Sequence, residues 1–152
     1  MFDEVFGLPT HALVVHFAVV LTPLLVAVAV AYALVPRWRP ATAWAVVLLS
    51  LGTAAAVFAS WLSGPRLKEA RFATAEGALA DSIATHESFA TPLLASALGL
   101  GAASLVLVYA SRGDRFGRAG TLVLSGLTVV LALAAAYYVF RAGDSGARAV
   151  WG

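Results

Sequence analysis

Three histidines, His11, His16 and His86, are the residues of this chain that are best suited to chemistry. Two of them stand at the start of the first long apolar stretch, and the third stands at the start of the third. Ionisable side chains in membrane-spanning segments are rare and mark ligand sites, metal sites or proton relays. Neutral imidazole is also the commonest side-chain ligand of metals. The three histidines are therefore the first candidates for a functional site.

Four apolar stretches must position these histidines. They cover about residues 8–36, 41–65, 88–111 and 119–140, and none contains Asp, Glu, Lys or Arg. The 152-residue chain is 61% hydrophobic and 12% charged, with a mean hydropathy of +0.89, which is far from a soluble composition. A helix needs about 20 apolar residues to cross a bilayer. We predict an all-α integral membrane protein, a single domain over residues 1–152, built as an up-down-up-down bundle with spans at about 10–35, 41–63, 84–110 and 119–140.

Two short arginine-rich connections indicate the orientation of the bundle. Residues 36–40 join the first two spans, residues 111–118 join the last two, and together they hold five arginines. The opposite side carries as many basic residues, but spread through longer segments with most of the acids. By the positive-inside rule the tight turns face the cytoplasm. Both termini and all three histidines are then expected on the outer side of a bacterial cytoplasmic membrane.

Composition and motifs also exclude several classes of function. The chain has no cysteine, which excludes an iron–sulfur cluster. Its net charge of +2 comes from basic residues scattered over the connections, so nucleic-acid binding is not expected. No Ser-His-acid pattern or glycine-rich phosphate loop supports a hydrolase or a nucleotide-driven transporter. The remaining partners are the lipid bilayer, a quinone, a membrane or periplasmic redox protein, and a second copy of the chain.

The spacing of His11 and His16 limits how they can act. Five residues apart on one helix, they point about 140° apart and differ in depth by about 7.5 Å. The useful unit is therefore an interhelical pair, either His16 with His86 or His11 with His86. Imidazoles that face each other from neighbouring helices can be the axial ligands of haem b, and we expect His16 and His86 to be this pair. Arg66 or Arg141 could then reach the haem propionates at the outer interface.

Three other interpretations of the histidines stay open. A Zn²⁺ or Cu²⁺ site at the outer face would draw on the three histidines and Glu87, with Asp3 or Glu4 as an additional ligand. A proton relay would pass protons through His11 to His16. Histidines near a membrane surface can also snorkel to the interface without binding anything. In that last case the chain is a non-catalytic membrane subunit or scaffold.

The segment His11–Phe17, which reads HALVVHF, resembles the opening of a known family. That family consists of bacterial predicted membrane proteins catalogued as domain of unknown function 2231, whose members begin with a His-Pro-Leu-Leu-Val-His-Phe-Pro-like segment. The resemblance extends through four spans, to Gly64 near the end of the second and to His86 at the start of the third. It therefore covers nearly the whole chain.

Two departures from the family pattern bear on function. Ala12 and Ala18 replace the usual prolines, and the segment 143–146, which reads GDSG, lacks the histidine of the Gly-His-Gly-Gly-like segment of the family. The resemblance implies a four-helix membrane domain that is sometimes found alongside cytochrome c modules, which favours electron transfer over metal storage. The expected function is a small cytochrome-like protein that binds haem b near the outer face through His16 and His86. If redox-active, it is an electron-transfer protein rather than a hydrolase or nucleotide-dependent enzyme.

Overall fold

The computed structural model describes residues 4–5, 8–113 and 115–151 of the chain. Within them, two short strands, β1 (Glu4–Val5) and β2 (Leu8–Pro9), pair antiparallel ahead of four α-helices. The helices are α1 (Thr10–Leu34), α2 (Arg39–Arg71), α3 (Ala78–Ser111) and α4 (Gly117–Trp151), and a 3-10 turn (Pro36–Trp38) joins the first two. All four are long and apolar enough to cross a membrane. The predicted four-helix membrane architecture is confirmed.

The helices form a ring in which each packs mainly against two neighbours. Helix α1 packs against α2 and α4, α3 packs against the same two helices, and the diagonal contact between α1 and α3 is small. The interior consists largely of alanine, serine and threonine around a few fully buried large residues such as Leu25 and Leu100. Small residues let membrane helices approach closely. Large side chains such as Leu133 and Phe140 face outward, where lipid would surround them.

Three helices continue beyond the predicted spans at the end of the bundle that carries the histidines. Helix α2 continues past Pro65 to Arg71, α3 begins at Ala78, and α4 runs to Trp151. The segment after Gly64 is the last part of α2 and a short link to α3. Charged side chains do not stop a helix, because they are solvated once it leaves the bilayer. The ends of these three helices therefore extend beyond the predicted spans and carry polar and charged side chains.

Arg39 closes the opposite end of the bundle. Its guanidinium donates hydrogen bonds to the carbonyl oxygens of Tyr32 and Ala33 at 3.1 and 3.3 Å, and to the hydroxyl of Ser125 at 3.5 Å. The two carbonyls belong to the last turn of α1, where unpaired acceptors and the helix dipole both favour a cation. Arg39 thus ties the C-terminal end of α1 to α2 and α4.

Candidate functional site

His11 lies in the first turn of α1 and is half-buried against α2. Its Nδ1 is 2.9 Å from the Ser63 hydroxyl oxygen. That hydroxyl is directed at carbonyl oxygens of its own helix, those of Ala59 at 2.8 Å and Ser60 at 3.2 Å. Because a hydroxyl has one hydrogen, which these carbonyls receive, Ser63 accepts from the ring. The contact with Ser63 therefore assigns the His11 hydrogen to Nδ1 and the lone pair to Nε2.

His86 makes the matching contact between α3 and α4. Its Nδ1 is 2.9 Å from the carbonyl oxygen of Ala142 and 3.3 Å from the hydroxyl oxygen of Ser145. A carbonyl can only accept, so the ring hydrogen is again on Nδ1 and Nε2 carries the lone pair. Metal-bound histidines commonly show this arrangement, with one ring nitrogen donating to a carbonyl or another acceptor while the other nitrogen binds the metal.

A glycine follows the serine in each of these contacts. A Cβ at Gly64 would lie 3.6 Å from Cε1 of His11, and a Cβ at Gly146 would lie 3.1 Å from Cε1 and 3.2 Å from Nδ1 of His86. The His86 ring thus lies close against the backbone of α4, and a side chain at position 146 would require the ring to shift. Sequence reasoning did not identify either serine–glycine pair as a contact surface. The Ser-Gly dipeptide that recurs near the end of α2 and of α4 is the sequence feature that could have indicated these contacts.

The two imidazoles belong to one cluster. They lie at the same end of the bundle and are close enough for a charge on one to act on the other. Their helices, α1 and α3, are diagonal in the ring, and α2 and α4 hold the rings in place. The cluster of His11, Ser63, His86 and Ser145, called the histidine site below, therefore takes one residue from each helix.

His16 lies apart from the histidine site. Its side chain is exposed, and its Nδ1 contacts the carbonyl oxygen of Ala12 in its own helix. The preferred sequence-based pair, His16 with His86, is therefore not the pair that the structure brings together, and the alternative, His11 with His86, is. The reason is the five-residue offset, which puts the first two histidines on different faces of α1. The face that carries His11 points inward.

The acidic residues considered as metal ligands do not complete a site. A carboxylate oxygen of Glu87 is 2.7 Å from Nζ of Lys68 in an exposed ion pair, so it is engaged by a lysine. Asp3 and the side chain of Glu4 lie outside the described residues. Among the residues that the structure describes, no group of three or more His, Asp or Glu side chains is placed to hold a metal ion.

The two arginines considered as propionate partners are both exposed at the histidine end of the bundle. The guanidinium carbon of Arg141 lies 4.9 Å from the ring centre of Phe89, which is one turn from His86 on α3. This cation–π contact keeps a positive charge near the histidine site. Arg66 lies two residues after Gly64 on α2. Both arginines remain available to an anionic group at this end.

Comparison with known proteins agrees with the architecture. A family model described as a predicted membrane protein, DUF2231, matches residues 7–152. The match extends over all four helices and over the histidine site. No curated protein and no solved structure matches the chain.

Proposed function

The chain belongs to the DUF2231 family of predicted membrane proteins, and from the geometry of its histidine site we propose that it binds haem b through His11 and His86 for electron transfer. The observation that carries this proposal is the contact of each Nδ1 with an oxygen of the neighbouring helix, that of Ser63 for His11 and that of Ala142 for His86. Each Nδ1–H is held by the neighbouring helix, so each Nε2 is free to bind a metal. Bound haem would supply a one-electron couple, while Ser63 and Ala142 would hold the orientation of its ligands.

The set of available ligands favours haem over a bare metal ion. Porphyrin supplies four of the ligands of iron, so two imidazoles complete its coordination. A structural Zn²⁺ site needs four protein ligands, and the described residues place no third His, Asp or Glu with the pair. Gly64 lets the His11 ring lie against the backbone of α2, and Arg141 offers a positive charge to a propionate.

The absorption spectrum of the protein purified from haem-replete membranes tests this proposal. We expect a Soret band in the wild type and its loss in His11→Ala and His86→Ala, because each variant removes one axial ligand. His16→Ala is the matched control, since this histidine lies on the same helix but is exposed and contacts the Ala12 carbonyl oxygen of its own helix. It should keep the band.

Three outcomes would contradict the proposal. A wild-type protein without a Soret band would rule out haem, and metal analysis of the same preparation would then show whether Zn or Cu is bound through the two histidines. Loss of the band in His16→Ala but not in His11→Ala would restore the pair of His16 with His86. Retention of the band in every single variant would mean that the haem lies elsewhere.

The same proposal places the histidine site on the outer face of a bacterial cytoplasmic membrane. The arginine-rich turns lie at the opposite end of the bundle, and the positive-inside rule assigns them to the cytoplasm. Reporter fusions at Trp38 and at Phe116, one in each turn, are expected to give a cytoplasmic signal. A periplasmic signal from both fusions would put the histidine site on the inner face.

A further inference from the structure

The two ends of the bundle differ strongly in charge. The end opposite the histidine site, called the arginine end below, consists of the turn between α1 and α2 and the turn between α3 and α4. Its five arginines are Arg37, Arg39, Arg112, Arg115 and Arg118, and its one acid in the sequence is Asp114. The histidine end carries the other five basic residues and the other seven acids. The formal charge is therefore +4 at the arginine end and −2 at the histidine end.

Two of these arginines meet at Tyr32, which is buried at the arginine end. The guanidinium carbon of Arg39, the first residue of α2, lies 5.6 Å from the centre of the Tyr32 ring. The Tyr32 hydroxyl oxygen is 2.6 Å from that of Ser111, the last residue of α3. Arg112 directly follows Ser111 and is exposed. Tyr32 thus brings the start of α2 and the end of α3 to the same place.

Arg118 adds a third arginine, from the start of α4. It lies seven residues before Ser125, and residues seven apart share a face of a helix. Ser125 faces the interior, since it is 6% exposed and its hydroxyl accepts a hydrogen bond from Arg39. Arg118 therefore lies on the inner side of α4, about 10.5 Å further out than Ser125. The three residues Arg39, Arg112 and Arg118 are called the arginine cluster below.

The other two arginines of this end lie against aromatic rings. The guanidinium carbon of Arg37 is 5.9 Å from the ring centre of Trp38, and that of Arg115 is 4.5 Å from the ring centre of Tyr109. Arg115 also donates a hydrogen bond to the Tyr109 hydroxyl at 2.7 Å. Both rings are exposed on the outside of the bundle. These two guanidiniums are therefore held away from the arginine cluster.

Exposed aromatic side chains indicate that the arginine end lies at the depth of the lipid headgroups. Trp38, Trp44 and Phe116 are 48%, 66% and 52% exposed near this end. Tryptophan and other aromatic residues concentrate where the bilayer meets water. A guanidinium at that depth is within reach of headgroup phosphates, whose oxygens match its parallel N–H donors. The chemistry and the depth of the arginine cluster thus both fit a phospholipid.

We propose that the arginine cluster binds the phosphate of an anionic phospholipid in the leaflet at this end. The charge of +4 favours an acidic headgroup such as phosphatidylglycerol over phosphatidylcholine, whose own cation it repels. Basic sites between membrane helices bind acidic headgroups in this way. Arg39 belongs to the first helical hairpin and the two other arginines to the second, so the lipid links the hairpins. The histidine site takes no part in this binding.

Lipid binding by the purified full chain tests the proposal. The protein in a neutral detergent is titrated with phosphatidylglycerol or phosphatidylcholine, and native mass spectrometry counts the lipids that stay bound. We expect the wild type to prefer phosphatidylglycerol. Arg112→Gln and Arg118→Gln should each weaken its binding about fivefold, the usual effect of one basic residue near acidic lipid. Arg39 is left unchanged, because it also holds α1 and α4.

Two matched controls make the same chemical change outside the arginine cluster. Arg148→Gln lies at the histidine end, where Arg148 pairs with Asp144 at 3.2 Å, and should leave phosphatidylglycerol binding unchanged. Arg115→Gln removes a charge from the arginine end, but this arginine is held on Tyr109. It should weaken binding less than Arg118→Gln does.

Three outcomes would overturn the proposal. Equal binding of the two lipids would exclude selection of an acidic headgroup. Equal losses in Arg115→Gln and Arg118→Gln would mean that the charge of the whole end attracts lipid without a defined site. Displacement of the bound phosphatidylglycerol by inorganic phosphate would mean that the arginine cluster takes free phosphate instead of a lipid.

Discussion

Gly146→Val is expected to displace the His86 ring from α4 and to lower the free energy of unfolding by about 1–3 kcal/mol, the usual cost of overpacking. The new Cβ would lie 3.1 Å from Cε1 and 3.2 Å from Nδ1 of the ring. The two methyl groups of valine would crowd the same space. Because the backbone of α4 cannot move away without breaking helix contacts, the ring must move. It would then lose its hydrogen bond to the Ala142 carbonyl.

Gly143→Val is the matched control for this prediction. It lies one turn earlier on α4, and a Cβ at position 143 meets nothing within 4 Å. Replacing a glycine inside a helix removes its excess conformational freedom, so the control should be neutral or slightly stabilising. Unfolding in detergent, followed by circular dichroism, measures both variants. Equal destabilisation by the two valines would contradict the close contact between Gly146 and His86.

Leu100→Ala is expected to lower the free energy of unfolding by about 2 kcal/mol through the cavity it leaves. Leu100 is fully buried and packs with Leu25, Ala29, Ala132 and Ala135. Alanine neighbours cannot extend into the space, so their packing contacts with the leucine are lost. Hydrophobic transfer contributes little here, because lipid tails are as apolar as leucine. The loss therefore measures packing alone.

Leu133→Ala is the control, because it makes the same chemical change on the outside of the bundle. Leu133 is 66% exposed and directly follows Ala132, so it lies at nearly the same depth as Leu100. Lipid would fill the space that the shorter side chain leaves, and we expect almost no change in stability. A loss as large as that of Leu100→Ala would contradict the assignment of this face to lipid. It would indicate instead that a second copy of the chain covers it.

The membrane class and the number of helices could be predicted because the hydrophobicity of a segment indicates whether lipid or water surrounds it. Long runs without charge exclude an aqueous surface and set the length of each span. The ends of the helices could not be predicted in the same way. Residues 66–71 are mostly charged, yet α2 continues through them. Hydrophobicity indicates which residues lie in the bilayer, whereas backbone hydrogen bonding determines where the helix ends. The predicted span therefore gives the part of the helix that lies in the bilayer, and the observed helix is longer.

The sequence could not decide whether His11 or His16 lies with His86. Their spacing established that only one of them could join His86. The rotation of α1 about its axis decides which one, and the buried residues of α1 reveal that rotation. Besides Ala33, the described ones are Ala18, Thr22, Leu25, Ala29 and Tyr32, and the same alternation of three and four residues leads back to position 11. An apolar helix shows no contrast between a lipid-facing and an interior side, so hydropathy alone could not find this stripe.

Residue types and their spacing were thus enough to predict a four-helix membrane protein whose histidines lie near one end. The partner of each imidazole, and with it the ring nitrogen that carries the hydrogen, emerged from the packed bundle alone. In a membrane protein the interior and the lipid are both apolar, so helix rotation is set by close packing of small residues. That packing depends on the contacts of four helices at once, and it brings His11 to His86 while it leaves His16 on the outside.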